Sequence, residues 1–358
     1  MDEQEIFESG SRNERDMVLG DDADYAFSPQ MGFLKIDRQR MERERIMRLG
    51  DVLGMFLLVY LLLRMFSGGS FQLFQNLLSR IAGGNMPAEV QYVLSWLFYM
   101  VLTSGVLLIP FFVYAAYLRM PARVAVPLRR PRISLTVLGA LVTASVSFMV
   151  SLAVSLMTGA LKQWTGVVVS IPSVTLGSDP VYFLLHILQL VVVPAVTEEL
   201  VFRGVIMQSL RQFSDWFALL VSSMLFALIH PSVANLPHAF ISGMLIGYFV
   251  LRTGSIFTGM FIHGFYNLLS VLLELLLRNV SGSLSTVAYF GVLVLLMILG
   301  LAALVTLAKN YDDLFVLNRR KGAQLSTSAQ FLTLLKSPPF FLACGTLLCT
   351  MLSYVHLV

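Results

Sequence analysis

From residue 51 onward the chain is a succession of apolar stretches separated by short basic loops, and this pattern constrains its fold more than any other feature. A helix needs about 20 apolar residues to span the hydrocarbon core of a bilayer. Candidate spans lie at 51–67, 92–117, 133–157, 181–204, 215–231, 238–252, 255–276, 286–308 and 338–358. The charges lie elsewhere: of the 46 Asp, Glu, Lys and Arg residues, 20 fall in the first 50 positions and 26 are spread over the other 308. Soluble domains carry about 25% charged residues, so a water-soluble globule and a disordered chain are both excluded. The expected fold is all-α, a polytopic transmembrane helical bundle of eight or nine spans. A net charge of +4 is too small and too scattered to point to a nucleic-acid partner.

The basic loops set an orientation through the positive-inside rule. Arg38, Arg40, Arg43, Arg45 and Arg48 precede the first span, and Arg119, Arg123, Arg129, Arg130 and Arg132 follow the second. Arg211, Arg252, and then Lys309, Arg319, Arg320 and Lys321 mark later loops on the same side. The alternate loops hold Arg80, Lys162 and Arg278 singly. The segment 1–24 has nine acids, two arginines and no apolar core to draw the terminus across. The N-terminus and the basic loops are therefore expected in the cytoplasm, in an integral protein of a bacterial cell membrane. Within the polar tail, 1–24 reads as a disordered acidic segment, and Lys35–Arg48 as a mixed-charge helical lead-in to the first span. Cys344 and Cys349 are the only cysteines. Five apart in one apolar segment, they do not share a helix face and read as packing residues.

Ionisable residues inside a span cost about 2.5–3.5 kcal/mol each near its centre. Arg64 and Glu274 lie near span ends, where long side chains can snorkel, and His186 is expected to hydrogen-bond a neighbouring helix. The exception is the stretch 194–267. Its first cluster runs from Pro194 through Glu198 and Glu199 to Arg203 and Gly204. Glu199 and Arg203 are four apart and can pair on one helix face. Glu198 points about 100° away and is left without a local partner, as suits a general base. Pro194 removes a backbone hydrogen bond and is expected to kink the helix. The second cluster, Phe226-Ala-Leu-Ile-His230, ends at Pro231, and the third is His263-Gly-Phe-Tyr-Asn267. In each, the first and last residues share a face. Counted from the turn at Ser214–Asp215, Glu199 and His230 both lie about 22 Å deep at 1.5 Å per residue. The three clusters are therefore expected to meet in one intramembrane pocket opening to the cytoplasm. Gly243 and Gly247 form a GxxxG that allows close helix packing. His238 is expected to cap a loop, and Tyr266 to pack.

EExxxR, FxxxH and HxxxN on successive apolar helices resemble the CPBP family, the CAAX prenyl proteases and bacteriocin-processing enzymes also called the ABI family. The stretch Leu251-Arg-Thr-Gly-Ser-Ile is similar to that family as well, and the likeness covers roughly 181–275. It implies an intramembrane endopeptidase in which the first glutamate, here Glu198, activates the hydrolytic water. His230, His263 and Asn267 would line the site, and Glu199 and Arg203 would orient the base. It also implies substrates among prenylated CAAX tails, leader peptides and membrane proteins.

Peptide hydrolysis needs a base for water and donors for the oxyanion, and Glu198 with Asn267 and a histidine N–H can supply them. Glu198, His230 and His263 also make a possible Zn²⁺ ligand set, although the HExxH platform is absent. Ser222 and Ser223 lack a nucleophile elbow. Two other readings stand beside the protease: a non-catalytic membrane immunity or scaffold protein of the same fold, and a proton or ion transporter. The expected organisation is a polar tail over 1–50, N-terminal membrane helices over 51–180, a protease core over 181–275 and C-terminal membrane helices over 276–358.

Overall fold

The computed structural model describes residues 25–28, 32–35, 37–82, 86–170, 180–312, 314, 316–317 and 323–357. The acidic segment 1–24 lies outside the described residues. Helices dominate: α1 (Arg38–Ala82), α2 (Ala88–Tyr117), α3 (Ile133–Thr165), α4 (Pro180–Leu210), α5 (Asp215–Leu228), α6 (Asn235–Thr253), α7 (Ile256–Arg278), α8 (Ser283–Asn310), α9 (Thr327–Leu334) and α10 (Pro338–Leu352). Two small antiparallel strand pairs accompany them. Tyr25–Ser28 pairs with Gly32–Lys35, and Val167–Val169 with Val355–Leu357. The fold is an all-α polytopic bundle.

The charged run ahead of the first span forms the opening turns of α1. There Arg40 Nε and Glu44 Oε1 pair at 3.0 Å, four residues apart. Glu42 accepts hydrogen bonds from Gln324 N, Leu325 N and Gln330 Nε2, which ties the start of α1 to the segment leading into α9. About two and a half turns further along α1, Ser337 Oγ donates to Asp51 Oδ1 at 2.7 Å, and Gly54 lets α1 rest on the backbone of Pro339 and Phe340 at the start of α10.

Eight or nine spans were expected, and among the described residues there are fewer. Six helices are long and apolar enough to cross a bilayer: α1, α2, α3, α4, α7 and α8. The pair α9 and α10, bent by 85°, is a broken seventh or a re-entrant loop. The expected span 215–231 is the 14-residue α5, about 21 Å long at 1.5 Å per residue, short of the roughly 30 Å hydrocarbon core. The helix is apolar because protein surrounds it: Phe217, Leu219, Val221, Leu225 and Phe226 are each at most 2% exposed. Burial in protein and burial in lipid leave the same hydropathy, so the sequence could not tell them apart. α6 packs along α5 through the GxxxG. A Cβ at Gly243 would lie 3.2 Å from both Phe226 and Ser223, and one at Gly247 only 2.5 Å from Leu219. The α5–α6 hairpin is thus the centre of the bundle, with α3 and α7 against α6. Cys344 and Cys349 are both free, one buried and one exposed.

Candidate active site

Pro194 shapes the helix that carries the two glutamates. It has no N–H to offer Leu190 O, four residues earlier. The chain widens into a π-helical turn over Leu188–Val192, returns to α-helix over Val193–Glu199, and widens again over Leu200–Ile206. Such π turns relieve a broken hydrogen-bond ladder and cluster at functional sites. Neighbouring side chains take up carbonyls here. Asn267 Nδ2 on α7 donates to Leu190 O at 3.1 Å. Gln208 Nε2 donates to Arg203 O at 3.0 Å, and Ser222 Oγ on α5 to Phe202 O at 2.7 Å. Asn267 is therefore a tether between α7 and α4, whereas the sequence reading had its amide facing the reaction.

The two adjacent glutamates have different surroundings. The Glu199 side chain is 0% exposed. Its Oε1 is 2.9 Å from Arg203 Nη1, an ion pair without hydrogen-bond alignment, and 3.0 Å from His263 Nδ1. With Nδ1 donating to the carboxylate, the neutral His263 ring leaves Nε2 with its lone pair. Arg203, also 0% exposed, reaches Gly243 O on α6 through Nη2 and lies 4.3 Å from the centroid of the Phe226 ring. Gly259 lets α7 approach: a Cβ there would lie 2.6 Å from Glu199 Oε2.

Glu198 retains 20% side-chain exposure, and its Oε2 is 3.9 Å from His263 Nε2. That separation is too long for a hydrogen bond and fits one bridging water. His230 sits just past the end of α5, where its Nδ1–H donates to Phe226 O at 2.8 Å. Its Nε2 is therefore also free of the proton in the neutral ring. Phe226 stands between the two histidines, its ring centroid 5.0 Å from His230 and 5.6 Å from His263, both edge-on. Residues of the three clusters come together: Arg203, His230 and His263 contact the Phe226 ring, Glu198 and Glu199 reach His263, and Asn267 lies one turn beyond His263.

The Zn²⁺ alternative fits less well. Among the described residues no group of three His, Cys, Asp or Glu side chains stands close enough together to hold one ion.

Arg64 and His238, which the sequence reading gave other roles, lie near the site, together with Tyr60. Arg64 does not snorkel: it turns into the protein, and Nη1 donates to Ile229 O at 2.7 Å and Tyr60 Oη at 3.3 Å. That carbonyl follows the last turn of α5, where a cation is favourable. The charge of Arg64 reaches His230, as does that of Glu198. The available signal was an arginine in an apolar span with no acid one turn away. Tyr60 is 6% exposed and close enough to feel both charges. His238, in the first turn of α6, stacks on Tyr266 at 4.9 Å, and its Nε2 is buried without a partner among the described residues. The hairpin brings it close enough to interact with His230 and His263. His186 bonds its own helix, Nδ1–H to Tyr182 O at 2.6 Å, and not a neighbouring one.

A family model described as type II CAAX prenyl endopeptidase Rce1-like matches residues 180–269. The match contains all three motifs and all six candidate site residues. No curated protein and no solved structure matches the chain.

Proposed function

We propose that this chain, a member of the CPBP/CAAX protease family through its residues 180–269, hydrolyses a peptide bond of a membrane-associated substrate with Glu198 as general base. The observation that carries this reading is the 3.9 Å between Glu198 Oε2 and His263 Nε2. Glu199 is occupied by Arg203 and His263, so Glu198 is the carboxylate free to take a proton. A water in that gap donates one hydrogen to Glu198 and the other to the His263 lone pair. Its own lone pair then faces the substrate carbonyl.

In the first step the water oxygen bonds to the carbonyl carbon, its proton passes to Glu198, and the carbonyl π electrons move onto oxygen. That oxyanion forms beside the His230 ring, which Phe226 O holds in place. In the second step the oxyanion re-forms the carbonyl, the C–N bond breaks, and Glu198 returns the proton to the leaving nitrogen. Glu199 fixes the His263 ring, and its pairing with Arg203 holds it away from the water. Asn267 supports the site by holding Leu190. Every proton step is carried by the protein's own groups. The fitting substrate is a peptide tail or membrane-protein segment of the CAAX or leader type.

The test is cleavage of a fluorogenic CAAX-type peptide, prenylated and not, by the purified protein in liposomes. Loss of a general base costs about 10²–10⁴-fold, so Glu198→Gln is expected to lose turnover on that scale, and a zinc chelator to leave turnover intact. Cleavage by Glu198→Gln at the natural rate would sink the assignment of the base.

A further inference from the structure

The two arginines near the site are held in different ways. Arg203 is fully buried and paired with Glu199. Arg64 is half-buried, and both of its partners, Ile229 O and Tyr60 Oη, are neutral. Among the described residues no carboxylate pairs with it. A guanidinium offers five N–H donors in a planar fork. Nη1 supplies both bonds seen here, and no described residue accepts from Nε or Nη2. That second edge is the one that grips a carboxylate or phosphate through two parallel bonds. The anchored edge holds the head at the tip of the α5–α6 hairpin, next to His230. Ile229 is the residue before His230, and the charges of Arg64 and Glu198 both act on Tyr60 and His230, so the guanidinium lies near the site. An intramembrane cation without a counter-ion is costly and marks a functional position.

We propose that Arg64 is an anion-binding residue of this site and takes the terminal carboxylate of the peptide that is cut. The proposal rests on the endopeptidase reading above and adds a specificity to it. A chain end held at Arg64 fixes how far from the C-terminus the bond beside Glu198 lies, so the protein cuts short tails and ignores internal segments. A lipid phosphate offers the same oxygen chemistry and is the competing source of the anion.

Binding separates the possibilities without relying on cleavage. The Glu198→Gln protein, in nanodiscs of zwitterionic lipid, is titrated with a fluorescent CAAX-type peptide bearing either a free C-terminal carboxylate or a C-terminal amide. Bidentate, charge-assisted bonds are stronger than neutral ones, so the acid is expected to bind about 10-fold more tightly than the amide. Adding Arg64→Gln is expected to bring the ratio to about one. Arg64→Lys, which keeps the charge and the reach to Ile229 but not the fork, is expected to retain part of the preference. Equal binding of acid and amide, no binding of either, or a preference that survives Arg64→Gln would overturn the assignment. If acid and amide bind equally and both weaken when anionic lipid is added, the anion is a lipid phosphate. If the acid-dependent binding holds but the natural protein cuts neither peptide, the protease reading fails and the carboxylate subsite stands.

Discussion

Replacing Glu199 by Gln would leave Arg203 charged, 0% exposed and without its ion-pair partner. Removing one member of a buried pair costs about 3–5 kcal/mol, so Glu199→Gln is expected to melt well below the natural protein in the same detergent. The two glutamates thus differ in kind although they are neighbours on one helix. Their spacing carried half of this: a residue four before an arginine pairs with it, and the one before that does not. The Glu199–His263 contact was beyond the sequence, because it depends on how closely α7 approaches α4. The Asn267 bond to Leu190 O was beyond the sequence for a related reason. Sharing a face with His263 says nothing about rotation of that face towards the carbonyl that Pro194 leaves free.

At the scale of elements, Gly259 is the point where α7 closes on α4. A Cβ at Gly259 would lie 2.6 Å from Glu199 Oε2 and 2.8 Å from Val250. Gly259→Ala is therefore expected to displace α7, break the His263–Glu199 bond and lower both melting temperature and turnover. Gly69, on exposed α1 with nothing within 4 Å, serves as the contrast: Gly69→Ala is expected to gain up to about 0.5–1 kcal/mol from helix propensity. A Gly259→Ala protein as stable and active as the natural one would show that the approach is not tight. The polar clusters were legible because charge inside an apolar run is conspicuous. The hairpin was not. α5 and α6 read as spans, and only the length of α5 and its burial on all sides show it to be an inserted helix. His238 read as a loop cap for the same reason, since its closeness to His230 is made by the hairpin and not by its own helix.

For the whole molecule, replacing two spans by one hairpin leaves the parity of the loops unchanged. α5 begins after Arg211 and α6 ends at Arg252 and Thr253, so both hairpin ends stay with the basic loops. On that reading His230, at its tip, is expected inside the membrane and not on the far side. Exposed Arg130 and Lys162, at opposite ends of α3, are expected on opposite faces. Single cysteines at those positions, in a chain with Cys344 and Cys349 replaced, should react with an impermeant maleimide from opposite sides. Labelling of both from one side would refute the orientation drawn from the basic loops. The central claim is the division of work between the two glutamates within the folded protein. It is tested most directly by measuring turnover and melting temperature together for Glu198→Gln and Glu199→Gln. The expected result is that Glu198→Gln keeps its melting temperature and loses turnover by at least about 100-fold, while Glu199→Gln melts lower. If instead Glu198→Gln turns over normally, or Glu199→Gln loses turnover with its stability intact, the base is not Glu198.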